Sequence, residues 1–286
     1  MFVGIMSQKN KHIAVLLTVH NRKEKTLKCL TQIYKNIMEG VDIEIWLTDD
    51  GCTDGTPEKI KEDFPLVHII NGNGTLFWNR GMLKSWQAAS KNQPDYYLWL
   101  NDDTILNNDA IKRLYAISQK KENQAIIVGS TCNSEGKLTY GGRKADKKHT
   151  IIPINEKEEI ECQTFNGNIV LIPAYVYNKL GYNDPYFHHS FGDIEYGLRA
   201  SKQGIKSFIA PGYYGICERN NPIPIFRRKQ YPLFKRYRLL YSPLGFNPIE
   251  DFHLNKQYYP LYKAILWFIK LHLNVLFPVD HTKYNK

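Results

Sequence analysis

Two short β-rich apolar runs in this chain each end abruptly on acidic residues. Residues 43–48 (IEIWLT) lead into Asp49-Asp50-Gly51, and residues 96–100 (YYLWL) lead into Asn101-Asp102-Asp103. Each reads as a strand, then carboxylates, then a turn. A third run, residues 13–17 (IAVLL), is apolar throughout, as a strand buried on both faces requires. After it Leu27, Leu30, Tyr34 and Ile37 recur at helical spacing. Strand runs keep alternating with helical patterns as far as residue 128, which predicts an α/β protein with a mostly parallel, doubly wound sheet. In such sheets ligands bind beyond the carboxyl ends of the strands. Carboxylates placed there suit a hard divalent cation or sugar hydroxyls, since both take oxygen partners. The pattern points to a metal-bound nucleotide derivative. Asp and Asn also end strands because they favour turns, and Asp54-Gly55 is read as a plain turn.

Beyond Gly129 the pattern changes. Glycines 136, 141 and 142 mark a hairpin or irregular loop, and residues 144–161 form a charged excursion without periodicity. Residues 168–172 and 205–209 read as strands. Residues 193–203 read as a helix stopped by Gly204. Asn108 is expected to cap a helix running to about residue 120.

Five scattered cysteines without a C-x-x-C pair argue against a disulfide scaffold or zinc ribbon and suit a reducing cytoplasm. The first eleven residues are too short and polar for a signal peptide. No run of about 18 uncharged apolar residues is present. The net charge is +10, and residues 217–286 hold 12 Lys and Arg against 4 Asp and Glu. That surplus points to an anionic partner: a phosphate-bearing substrate, an acidic membrane face or nucleic acid. The basic residues lie in the tail and not in a recognition motif, so no nucleic-acid partner is expected.

Several residues are placed to carry chemistry. Thr18-Val19-His20-Asn21-Arg22 follows the first strand and opens a helix, where backbone N–H groups hold a phosphate or base. Asp49 is placed to accept a hydrogen bond from a pyrimidine imide. Asn101 and Asp103 fall on one side of an extended segment, one toward a ribose and the other toward a metal. Asp193 lies at an apparent helix start, where the dipole favours the anion; it is either a general base or simply a cap. His188-His189 invites a metal reading, although neighbours in sequence rarely point the same way. Gly72-Asn73-Gly74 lacks the spacing of a dinucleotide fingerprint.

Taken in order, residues 15–30 (VLLTVHNRKEKTLKCL), 46–56 (WLTDDGCTDGT), 73–81 (NGTLFWNRG), 98–105 (LWLNDDTI) and 191–200 (FGDIEYGLRA) resemble family 2 glycosyltransferases of the GT-A fold. Residues 76–78 and 165–168 are similar to a bacterial subgroup of rhamnosyl- and galactofuranosyl-transferase-like proteins. The resemblance covers roughly residues 11–215. It implies an inverting transfer from a UDP- or dTDP-sugar to a saccharide or lipid-linked saccharide, in surface polysaccharide assembly, with Mn²⁺ or Mg²⁺. Asp49 then matches the base-binding aspartate, and Thr18, Asn21, Arg22 and Trp78 belong to the nucleotide-sugar site. Asn101, Asp102 and Asp103 match the D-x-D site, with Asp103 the metal ligand, and Asp193 matches the catalytic base. Asn101 departs from the motif and removes one charge near the ribose. Glu195 stands where Asp is common. No counterpart of the C-terminal metal-binding His is evident.

The expected layout is a catalytic domain at 11–215, with a nucleotide-binding half at 11–105 and an acceptor half at 106–215. A basic, aromatic, helical appendage follows at 216–286. The competing function is a degenerate nucleotide-sugar-binding or scaffold subunit; the presence of both Asp103 and Asp193 favours the enzyme. The appendage is expected to contact the inner face of the cytoplasmic membrane peripherally. Its apolar helix at 261–271 also suits packing on the catalytic domain or a second copy in a homodimer.

Overall fold

The structure is a computed structural model, which describes residues 10–146, 148–219 and 223–279. The first half alternates as the apolar runs predict. The elements are β1 (Lys11–Val19), α1 (Lys23–Tyr34), β2 (Val41–Asp49), α2 (Thr56–Asp63), β3 (His68–Asn71), α3 (Phe77–Ala89) and β4 (Tyr96–Leu100). The short β5 (Ile105–Leu106) leads to α4 (Ala110–Lys120), flanked by Asp109 without any side-chain cap. The expected cap at Asn108 falls one residue earlier.

Next come β6 (Ile126–Cys132), β7 (Leu138–Tyr140), β8 (Gly142–Arg143), β9 (Ile160–Cys162), β10 (Thr164–Phe165), β11 (Ile169–Pro173), α5 (Ala174–Leu180), α6 (Gly192–Lys202) and β12 (Ser207–Ile216). The chain continues into α7 (Leu233–Leu240), α8 (Pro248–Tyr258) and α9 (Leu261–Leu276).

One large sheet runs in the order β3-β2-β1-β4-β11-β6-β12-β5. Its first four strands are parallel. Then β11 enters antiparallel to both β4 and β6, while β12 returns parallel to β6. The α/β expectation holds, with a parallel first half and a mixed far half. Side chains alternate across a strand, so β1 feeds two cores. Ile13, Val15, Leu17 and Val19 join residues of α1, α2 and α4 on one face. Ala14 and Leu16 join Met82, Trp86 and Ala89 of α3 and residues of α5 and α6 on the other. That double burial explains the uninterrupted apolar run. Trp86 and Trp99 meet edge-on at 5.4 Å and anchor an aromatic cluster in the second core.

Strand β12 ends at Ile216. Beyond it α8 docks on the sheet domain, because Leu254 completes a cluster with Phe187, Phe191, Ile194 and Leu198. Helices α7 and α9 share a small core of Phe226, Leu240 and Val275.

Candidate functional site

Because β2, β1 and β4 are adjacent and parallel, their carboxyl ends share one edge. Val19 pairs with Asp49 at the last rung. Asn101 follows β4, and its N–H donates to the Asn168 carbonyl at 3.1 Å. The loop after β1, Asp49 and the 101–103 cluster are thereby brought together.

The loops after β1 and β2 are cross-linked. Asn21 Oδ1 accepts from the Thr53 N–H at 2.7 Å, and Asp49 Oδ1 accepts from the Cys52 N–H at 2.8 Å. Asp54 accepts from the Thr56 N–H at 3.1 Å and the Lys23 N–H at 3.0 Å, fixing the starts of α2 and α1 as a turn residue does. Asp50, beside Asp49 in sequence, has a different job. It is buried and accepts from the N–H groups of Gly74, Leu76 and Phe77 at 2.8, 2.9 and 2.9 Å. Phe77 has φ +56. A positive φ is costly for a bulky residue, and the Asp50 carboxylate offsets that cost at the start of α3. Thr18 is buried against α3: a Cβ added at Gly81 would lie 2.1 Å from its Oγ1.

The acidic cluster is held by Arg22. Its Nη1 lies 2.9 Å from Asp103 Oδ2, and its Nη2 donates to Asp102 Oδ1. Asp102 is almost fully buried and also accepts from Thr26 Oγ1 at 3.2 Å. Burial pushes the Asp102 carboxyl up to about 7, although the Arg22 charge and the Thr26 hydroxyl favour its anion. Asp103 remains partly open, with Cys217 Sγ 3.7 Å from its Oδ1. Beside it lies a cleft of about 390 Å³ whose lining includes Lys25, Lys28, Asp103, Glu218 and Arg219. Three cations against the two carboxylates of Asp103 and Glu218 leave the cleft net positive, which suits a phosphate-bearing ligand.

Trp78 links this edge to Asp193. Its Nε1 donates to Asn101 Oδ1 at 2.7 Å. Gly167 lies against its ring, so close that a Cβ there would sit 2.4 Å from Trp78 Cζ2. The Gly167 N–H donates to Asp193 Oδ2 at 2.9 Å, and Asp193 Oδ1 accepts from the Ile194 N–H at 2.8 Å. Burial pushes the Asp193 carboxyl above the ordinary range, against those two N–H groups and the Arg143 charge. Phe191, just before α6, has φ +74 and is packed edge-on against Phe246 at 4.9 Å. Arg143, not singled out by the sequence, donates to Asn166 Oδ1 at 2.7 Å and braces the Gly167 turn. No motif announces it, because β8 and β10 meet only in the fold.

The neighbours of Asp193 have structural partners. Glu195 is buried, accepts from Arg199 Nε at 3.0 Å and from the Tyr258 hydroxyl at 2.8 Å. The two adjacent histidines diverge. His188 Nδ1 lies 2.6 Å from Glu250 Oε1, whereas His189 is half-buried, edge-on to Phe77 at 6.3 Å. Burial, with the Arg22 charge, lowers His189 to about 4. Among the described residues no three His, Cys, Asp or Glu side chains group as a ready-made metal cage. The donors present are carboxylate oxygens, which fit a hard cation that retains waters and arrives with substrate phosphates.

The sequence matches the model of the family described as glycosyl transferase family 2 over residues 14–179, more than half of the chain. No curated protein matches it. Among solved structures it is similar to residues 1–349 of S. aureus TarS, with a TM-score of 0.54 and 12% identity, covering 72% of this chain and 60% of that one. A longer S. aureus TarS structure gives a TM-score of 0.54 and 12% identity, covering 96% of this chain and 44% of that one. GalNAc-T7 with UDP, GalNAc and Mn²⁺ gives a TM-score of 0.53 and 12% identity, covering 93% and 55%. The chain therefore spans about half the length of these neighbours, and the likeness is one of fold.

Proposed function

The chain belongs to glycosyl transferase family 2 and has the GT-A fold, and on that premise we propose that it transfers a sugar, with inversion, from a UDP- or dTDP-sugar to a saccharide hydroxyl. The observation that carries this reading is the Asn101–Trp78–Gly167–Asp193 chain of contacts, which ties a half-buried carboxylate of α6 to the acidic edge of the parallel sheet. Asp49 accepts from the base, and Asn101 and Trp78 bound the sugar side of the donor. Asp193 takes the proton of the acceptor hydroxyl as its oxygen bonds to the anomeric carbon. The bond from that carbon to the β-phosphate oxygen breaks, and the nucleoside diphosphate leaves with the electron pair. A carboxyl raised above the usual range is a better proton acceptor at neutral pH.

Asp103 would hold a divalent cation together with donor phosphates. The ion supplies charge stabilisation for the leaving diphosphate. The Mn²⁺ and UDP of the GalNAc-T7 structure support this chemistry. The resemblance of the 76–78 and 165–168 segments to rhamnosyl- and galactofuranosyl-transferase-like proteins supports a product in surface polysaccharide, with a free or lipid-linked acceptor. Nucleotide-sugar use and five unpaired thiols suit the cytoplasm.

Thermal-shift screening against nucleotides and nucleotide sugars, with and without Mn²⁺, tests the donor class. A bound donor raises stability by ~2.7 kcal/mol at a hundredfold excess over its dissociation constant. No shift with any UDP- or dTDP-sugar would sink the reading. A degenerate donor-binding subunit would show the shift but no transfer; the half-buried Asp193, its carboxyl raised above the ordinary range, argues for the enzyme.

A further inference from the structure

Fourteen of the nineteen exposed large apolar side chains among the described residues lie between Leu233 and Phe277. The apolar surface is therefore concentrated on the helices after β12. Helix α9 shows how it is arranged. Its inner strip packs: Ala264 and Val275 are fully buried, Phe268 meets Phe252 at 5.9 Å, and Trp267 meets Tyr259 at 5.1 Å. Its outer side is apolar as well. Leu261, Ile265, Leu266, Ile269, Leu273 and Leu276 are 59, 44, 58, 48, 49 and 44% exposed. At 3.6 residues per turn these six span an arc of roughly 140°. Lys270 and Lys263 follow immediately along the edge of that arc. Packing on the domain thus uses only the narrow strip and leaves the wide face open.

The helix has 16 residues, about 24 Å of rise, against a hydrocarbon core of about 30 Å. Among the described residues no helix is long and apolar enough to cross a membrane. An apolar arc edged by lysines suits a helix lying flat at a lipid surface, with lysine stems on the hydrocarbon and ammonium groups among the phosphates. Charge separates a bilayer from a second copy. Lys229, Lys235 and Arg238 are exposed nearby, and residues 217–286 carry a surplus of 8 positive charges. Two such surfaces repel each other, whereas an anionic bilayer attracts one.

We propose that the outer face of α9 docks on an anionic phospholipid bilayer. The docking also orients the transfer site. Helix α8, against which α9 packs, is joined to the segment carrying Asp193 by the His188–Glu250 contact at 2.6 Å and the Tyr258–Glu195 bond at 2.8 Å. The lipid plane is therefore one helix away from that segment, as a lipid-borne acceptor requires. The vesicle contact itself does not depend on the transfer reading, since it needs no donor, metal or turnover.

The test is co-sedimentation of the full chain at low salt with vesicles of phosphatidylglycerol and phosphatidylcholine, and with phosphatidylcholine alone. The chain pellets with the anionic vesicles and loses them as salt rises. Leu266→Asp with Ile269→Asp, both at exposed positions, lowers the partition coefficient at least tenfold without changing circular dichroism or Tm. Lys263→Glu with Lys270→Glu lowers it and flattens the salt dependence. Light scattering without lipid gives a monomer. Recovery of the wild type in the supernatant on anionic vesicles overturns the proposal. A dimer that the two aspartates dissociate, with no vesicle binding, overturns it in favour of a second copy.

Discussion

Arg22 Nη1 stands 2.9 Å from Asp103 Oδ2 while its other terminal nitrogen bonds Asp102, so one guanidinium holds both carboxylates of the acidic cluster. A cation at Asp103 must compete with that guanidinium. Arg22→Ala is expected to tighten Mn²⁺ binding in the absence of nucleotide by about fivefold, the equivalent of ~1 kcal/mol for a partly exposed ion pair. Manganese titration followed by electron paramagnetic resonance reads this directly. Asp103→Ala should remove the metal dependence of donor binding. Equal Mn²⁺ affinity in the wild type and Arg22→Ala would show that the pair does not guard the site.

Asp193 and Glu195 are two residues apart and are expected to fail differently. Asp193→Asn keeps the side-chain shape and one of the two accepted backbone N–H bonds, so donor binding persists and Tm falls by only a few degrees while transfer falls by about 10² to 10⁴. Glu195→Gln leaves Arg199 without its carboxylate partner in a mostly buried pair, a loss of about 3 kcal/mol. At roughly 2–4 °C per kcal/mol for a chain of this size, Tm should drop by about 6–12 °C. Calorimetry beside a transfer assay separates the two. Normal turnover in Asp193→Asn moves the base elsewhere.

The pH profile follows from the burial of Asp193. The carboxyl must be ionised to accept a proton, so kcat/KM falls as pH drops through its pKa. Burial raises that pKa above the ordinary value of about 3.9. The acid limb is thus expected on the high side of a normal aspartate, and it should vanish from the residual activity of Asp193→Asn. An acid limb at the ordinary aspartate position would contradict control of this group by burial.

Gly167→Ala probes the link between Trp78 and Asp193. The added Cβ would meet Trp78 Cζ2 at 2.4 Å, so the ring must leave Asn101. Overpacking of this kind costs ~1–3 kcal/mol. Both a fall in Tm of a few degrees and a weaker donor affinity are expected. Unchanged donor affinity would remove Trp78 from the donor site.

The C-terminal region is expected to resist crude truncation. Pro211 lies inside β12, and α8 supplies Leu254 to the cluster under α6. A chain ending at Pro211 should be recovered as aggregate, whereas the surface variants of α9 remain soluble. A soluble, two-state-unfolding product ending at 211 would show that α8 is dispensable.

The sequence by itself determined the parallel half of this protein. An uninterrupted apolar run at 13–17 demands burial on both faces, and acidic residues directly after β2 and β4 must fall at the carboxyl edge once those strands flank β1. Periodicity and strand ends are local, so they are legible in one dimension. Only the tertiary structure decided which carboxylates are free to act. Asp49 and Asp50 are equivalent in sequence, yet Asp50 is spent on the backbone before α3. Asp193 and Glu195 share a motif, yet Arg199 and Tyr258 occupy Glu195. Arg22 reaches Asp103 across 81 positions. The antiparallel insertion of β11, the brace from Arg143 and the split of α9 into a packed strip and an open face arise in the same way. A hydrogen-bond partner or a covered surface is a property of neighbours in space, which sequence spacing does not encode.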